Sequence, residues 1–176
     1  MLVNERQNMK NVKKRPDFTF IVPNSRWHRG GEGRYWNHIP YPEGILSAVL
    51  RKNGLIVNSI DANVNNYTEE ELYDVIQKES GSIVGISALS VEYKDSVHKT
   101  FEIVKLARPR TKTIIGGVYP SLSPEVAKRD QNIDFIVISE GENRLLNLVK
   151  SIKNKTSFDD IDGLHYREKN KWYYNP

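Results

Sequence analysis

Short apolar runs alternate with amphipathic stretches along most of the chain. Runs of strand length fall at residues 18–22, 55–60, 82–87, 113–115 and 134–138. Between and after them apolar residues recur at helical spacing. The sets are Ile45, Leu46, Val49 and Leu50; Leu72, Val75 and Ile76; Val97, Phe101 and Val104; and Leu145, Leu146, Leu148, Val149 and Ile152. The punctuation agrees with this reading. Pro42 suits a first helical turn, Gly54 a helix stop, and Thr68 with Glu71 forms a capping box. A third helix is expected from near Glu92 to Ala107, ended by Pro109, and a short one over 124–130. The 113–115 run leads into Gly116-Gly117 and an expected exposed turn at 118–121. Residues 163–174 alternate weakly, as a hairpin or edge segment would.

This strict alternation specifies an α/β fold: a doubly wound, Rossmann-like, five-stranded parallel sheet with helices on both faces. Right-handed crossovers bring the loops that follow the strands to one edge, where open α/β sheets bind ligands. That edge gathers Asn24, the loop 25–41, Asp61-Ala62-Asn63, Ser87-Ala88-Leu89-Ser90, Gly116-Gly117 and Ser139 to Glu142. The loop is long for a compact domain, and its aromatics, arginines and histidines favour contact with a ligand or partner.

Composition narrows the chemistry. The 176 residues suit one domain and include no cysteine, so disulfides and iron–sulfur ligation within the chain are excluded. No apolar run reaches membrane-spanning length, and no signal core opens the sequence; a cytoplasmic protein is expected. The net charge of +4 resides in residues 1–16, where Arg6, Lys10, Lys13, Lys14 and Arg15 stand against Glu5. That segment reads as a mobile basic tail on a neutral body, which argues against nucleic acid as a partner.

The usual motifs of this edge are missing. GGEG in the long loop is not GxGxxG and does not stand directly between strand and helix; no GxxxxGK[ST] occurs. A phosphoreceiver site would need carboxylates where Pro23-Asn24 and Ser87 stand. Neither Ser87 nor Ser90 lies in GxSxG, which disfavours a hydrolase. The histidines lack metal-site spacing, so no direct metal site is expected. His98 is expected on a helix surface, leaving His28 and His38 in the loop as candidates.

The ordered set YPEGILSAVLRKNG, IDAN, IVGISALS, IIGGVYPS and DFIVISEGE resembles the N-terminal cobalamin-binding domain of cobalamin-dependent radical S-adenosylmethionine enzymes. The group most similar is that of the anaerobic magnesium-protoporphyrin ester cyclase and its methyltransferase relatives. The resemblance implies that Ser87 and Leu89 meet the nucleotide tail of cobalamin and that Gly116 and Gly117 let it pass. It implies that Ser90, Val91, Glu92 and Tyr93 lie near the corrin, with Glu140, Gly141 and Glu142 approaching from the last parallel strand. Asn24, Ser25, Arg26 and Trp27, followed by His28, would cover one face; Ala88, Val118 and Tyr119 complete the set.

Two departures matter. Where cobalamin-dependent mutases carry DxHxxG, this chain has NSRWHRG, with Asn24 at the Asp position and Arg26 at the His position. The CxxxCxxC of the radical domain is absent. The resemblance therefore implies a tail over 1–16, a cobalamin-binding domain over 17–158, and an extension over 159–176 toward a radical S-adenosylmethionine barrel. That barrel would supply the 4Fe–4S cluster and bind S-adenosylmethionine; this chain alone would not be catalytic, and cobalt would come only through cobalamin. The alternative is a cofactor-free docking or substrate-recognition module of the same fold.

Overall fold

The computed structural model describes residues 14–27 and 39–176; His28, His38, the glycines of the long loop and most of the basic tail lie outside the described residues. Five strands run parallel: β1 (Phe18–Val22), β2 (Val57–Asp61), β3 (Ile83–Ser87), β4 (Lys112–Gly116) and β5 (Phe135–Val137). Two more, β6 (Leu164–Glu168) and β7 (Lys171–Asn175), continue the sheet antiparallel, giving the order β2-β1-β3-β4-β5-β6-β7. The sheet thus has seven strands, not the expected five. Residues 163–174 form a hairpin because Lys169 and Asn170 both take positive φ, 46° and 66°, as a two-residue primed turn requires.

Helices α1 (Tyr41–Lys52) and α6 (Glu142–Asn154) cover one face, over Phe18, Phe20, Ile114 and Phe135. Helices α2 (Glu69–Glu79), α3 (Lys94–Ala107), α4 (Val118–Leu122) and α5 (Pro124–Ala127) cover the other, over Ile21, Val84, Ile86 and Ile115. Burial from both sides is why the inner strands read as near-continuous apolar runs. The Thr68–Glu71 capping box forms as expected, and Gly54 ends α1 at a φ of 79°. No helix of the described residues is long and apolar enough to cross a membrane.

Three boundaries differ from expectation for physical reasons. Helix α3 starts at Lys94, because residues 91–93 make a 3-10 turn in which the Ser90 hydroxyl accepts the Glu92 N–H at 3.2 Å. Residues 118–121 are not an exposed turn but belong to α4, whose Tyr119 and Pro120 are buried. Helix α5 ends at Ala127, short of Asp130, whose carboxylate accepts the Asn132 N–H at 2.8 Å.

The exits of β3 and β4 are tied together through the backbone. Ala88 donates its N–H to the Gly116 carbonyl at 2.8 Å and accepts from the Tyr119 N–H at 2.9 Å. Gly117 between them has φ 98° and ψ −170°, a conformation essentially restricted to glycine. A Cβ there would stand 2.7 Å from the Ala88 carbonyl oxygen. Gly117→Ala is accordingly expected to lose about 1–3 kcal/mol of stability in urea denaturation. At Gly116, where the nearest atom to an added Cβ is 3.7 Å away, alanine is expected to change stability by less than about 1 kcal/mol. Equal losses would contradict this division.

His165 on β6 is 7% exposed, its Nδ1 has no hydrogen-bond partner among the described residues, and its ring stacks on Tyr174 at 4.2 Å. Burial, reinforced by Lys128, pushes its pKa down. The unfolded chain therefore takes up this proton more readily than the folded one, and stability falls as pH drops below the ordinary histidine value of about 6.5. His165→Phe is expected to flatten the fall in unfolding midpoint between about pH 7 and pH 5. Parallel curves for the two proteins would contradict this assignment.

Candidate functional site

Strand register sets the site. Phe20, Gly85, Ile114 and Phe135 lie side by side across β1, β3, β4 and β5, and Ser87 pairs with Gly116 two residues further along. With side chains alternating across a strand, these residues share the face covered by α1 and α6. Gly85 and Gly116 thus remove side chains from two neighbouring strands of one face. A Cβ at Gly85 would lie 2.4 Å from the tip of the Phe18 ring, so that ring occupies the notch.

The gap opens as a cleft of about 290 Å³ between the sheet and helices α1 and α6. Phe18, Phe20, Ile114, Val137 and Leu145 line its depth, and Pro42, Ile45 and Leu46 of α1 form a wall. Ser87, Leu89, Ser139, Glu140, Gly141 and Glu142 surround it at the strand ends. Ser139 sits there at a φ of 61°, its N–H donated to the Ser121 hydroxyl at 3.1 Å. A second cleft of about 270 Å³ adjoins the first, sharing Tyr41, Pro42, Ser87 and Leu89. Ser25, Ala88, Ser90, Tyr93 and Ser96 line that one. No lysine or arginine among the described residues lines either cleft.

Of the residues singled out from sequence, Ser87, Leu89, Gly116, Gly117, Glu140, Gly141 and Glu142 converge on the first cleft. Ser25, Ala88, Ser90 and Tyr93 line the second. Asn24, Arg26, Trp27, Val91, Glu92, Val118 and Tyr119 line neither. Asn24 is buried and donates to Asn66 Oδ1 at 3.2 Å and the Tyr67 carbonyl at 3.0 Å, while its own oxygen accepts the Arg26 N–H at 3.1 Å. The Ser25 hydroxyl donates to Asn63 Oδ1 at 2.7 Å, and the Arg26 guanidinium to the Asn63 carbonyl at 3.0 Å. These side chains fasten the end of β1 to the loop after β2. Trp27 packs on the core.

His98 is half-buried, and its ring is partnered on both nitrogens instead of standing free on the helix surface. Its Nδ1 lies 2.6 Å from Asp130 Oδ2 and its Nε2 2.9 Å from the Tyr119 hydroxyl. The set fastens α4 to α3 and to the loop before β5. Burial first, then Asp130 and Asp95, raise the Tyr119 pKa. Sequence reasoning missed the cleft's interior, Phe18, Phe20, Gly85, Ile114, Val137 and Leu145. One signal was available: glycine inside a strand, as at Gly85, marks a close approach.

The family described as the B12 binding domain matches residues 38–149. Cytidylyl-2-hydroxyethylphosphonate methyltransferase of Streptomyces wedmorensis is 25% identical over 148 residues, covering 73% of this chain and 28% of that protein. The anaerobic magnesium-protoporphyrin IX monomethyl ester cyclase of Rubrivivax gelatinosus is 31% identical over 153 residues, covering 84% of this chain and 27% of the relative. The chain therefore spans less than a third of the length of either. Among solved structures, the radical S-adenosylmethionine methyltransferase TsrM of Kitasatospora setae, with cobalamin and a 4Fe–4S cluster bound, superposes with a TM-score of 0.75. At 16% identity over 92% of this chain and 31% of that one, it shows the fold alone. The cobalamin-dependent S-adenosylmethionine radical enzyme OxsB, with aqua-cobalamin and S-adenosylmethionine bound, superposes at 0.69 with 25% identity, covering 92% of this chain and 22% of that one. With a carboxyl-edge cleft left open at Gly116 and a family match over residues 38–149, this chain belongs to the B12 binding domain family.

Proposed function

We propose that this chain is the cobalamin-holding module of a longer radical S-adenosylmethionine enzyme, a methyltransferase or cyclase. The cleft between the sheet and helices α1 and α6 would receive the nucleotide tail of the cofactor. The observation that carries this reading is Gly116, whose missing side chain leaves the sheet face open where the parallel strands end. The residues present fit the group. The depth is largely apolar, and Ile39, Tyr41 and Leu89 stand 77%, 69% and 45% exposed at the clefts. An exposed apolar rim around a pocket marks a surface meant to be covered.

Ser87 and Leu89 would border the tail where it enters, Gly116 would leave room beside it, and Leu46 and Leu145 would exclude water from its sides. Ala88, Ser90 and Tyr93, in the adjoining cleft, would lie under the corrin with the apolar rim. Gly117 would act indirectly, by keeping the β3 and β4 exits in register. Bound cobalamin would supply a cobalt centre able to carry a methyl group or exchange electrons. No histidine among the described residues lines either cleft; Asn24 and Arg26, at the motif positions, are held by Asn63, Asn66 and Tyr67. The 4Fe–4S cluster and S-adenosylmethionine belong, in this reading, to a further domain. A cofactor-free docking role would leave the emptied sheet face without a use.

The test is retention of hydroxocobalamin through gel filtration. The wild-type protein is expected to elute coloured, with an altered visible spectrum. Gly116→Leu, whose Cβ would meet only ordinary van der Waals contacts and whose side chain would fill the cleft, is expected to elute colourless at a nearly unchanged melting temperature. Colourless wild-type protein would overturn the proposal.

A further inference from the structure

The opposite, amino edge of the sheet carries a hollow of a different kind. Where α3 gives way to β4, the Thr111 N–H donates to the Arg108 carbonyl at 3.0 Å and closes a tight turn over residues 108–111. Pro109, at the second position of that turn, presets its backbone. The Lys112 N–H then donates to the Ser82 carbonyl at 2.9 Å, where β4 begins beside β3. These two bonds gather Ser82, Arg108, Pro109, Arg110 and Thr111 around a hollow of about 330 Å³. Two arginines and two hydroxyls line it, and no carboxylate does. Neither arginine takes part in an ion pair among the described residues. Asp134 does not supply the missing charge: it is engaged by Lys105 at 2.6 Å and by Thr113, while Lys105 also holds the Thr111 carbonyl. Two donors of the hollow have no acceptor. Thr111 is 3% exposed and its hydroxyl has no hydrogen-bond partner among the described residues, nor has the buried Nε–H of Arg108. Buried donors are nearly always paired.

We propose that this hollow binds a phosphate group, at the sheet edge remote from the cofactor clefts and independently of them. A guanidinium presents its N–H groups as a planar fork that fits phosphate oxygens, and hydrogen bonds to an ionised acceptor are the strong ones. Arg108 and Arg110 supply the positive charge, and the hydroxyls of Ser82 and Thr111 each supply a donor. A phosphate lodged against the turn gives the Thr111 hydroxyl and the Arg108 Nε–H the acceptor they lack. The turn and the β3–β4 ladder hold these groups in place beforehand, so binding orders little backbone. The volume exceeds that of a bare oxyanion and stands near the roughly 300 Å³ lower end of small-ligand pockets, which leaves room for a small organic group carrying the phosphate.

The arginine Nε–H resonances of the full chain, followed by NMR during titration with inorganic phosphate at an ionic strength held constant with chloride, read the site directly. The Arg108 signal is expected to shift and saturate, with the signals of Arg51 and Arg144 unmoved. Phenyl phosphate is titrated in parallel: tighter binding assigns the site to a phosphorylated organic molecule and equal binding to free phosphate, and either supports it. Arg108→Gln and Thr111→Val are each expected to weaken binding about tenfold or more. Without phosphate, Thr111→Val is expected to melt no lower than the wild-type protein, because it removes a buried hydroxyl that has no partner. Shifts that fail to saturate, or that chloride alone reproduces, would overturn the proposal. So would a Thr111→Val protein that melts well below wild type and binds phosphate as tightly, since the hydroxyl would then serve the fold and not a ligand.

Discussion

Ala88 gives its N–H to Gly116 and takes one from Tyr119, and Gly117 can stand between them only because it has no side chain. This backbone contact joins the exits of the two central strands, and the geometry of the carboxyl edge depends on it. It aligns Ser87 with Gly116. It also turns the chain into α4, so that Tyr119 points into the core and reaches His98. From there Asp130 ties the same unit to the loop before β5. Were the step wider, α4 would lift and the two strand ends would no longer frame a common mouth.

Four glycine positions near this edge do different work. Gly117 is demanded by backbone, Gly85 by the Phe18 ring, and Gly141 sits 3.3 Å from Leu46 when a Cβ is added. Gly116 alone among the four would meet only ordinary contacts; its missing side chain serves the cleft, not the fold. The distinction separates residues that hold the site together from the one that leaves it open.

Much of this was legible in the sequence, because buried parallel strands and amphipathic helices have unmistakable periods. Strand ends follow from topology, so Ser87, Leu89, Gly116 and Glu140 could be placed on one edge without coordinates. The interior of the cleft could not. Whether Phe18 faces Gly85, and whether Leu46 of α1 and Leu145 of α6 close over the same row, depends on strand register and on which helix covers which face. The pairing of His98 was illegible for a similar reason: its partners are 21 and 32 residues away, at distances no local pattern reports. The hairpin escaped a firm reading because Lys169 and Asn170 adopt left-handed backbone without a glycine.

The claim that the apolar face under α1 and α6 receives the cofactor is tested most directly by methyl resonances during titration with hydroxocobalamin. The account predicts large shifts at Ile114, Val137, Leu145 and Leu46, with little change at Leu72 and Ile76 on the opposite face of the sheet. Shifts confined to that opposite face, or an unmoved set of cleft methyls in a protein that retains the cofactor, would contradict it.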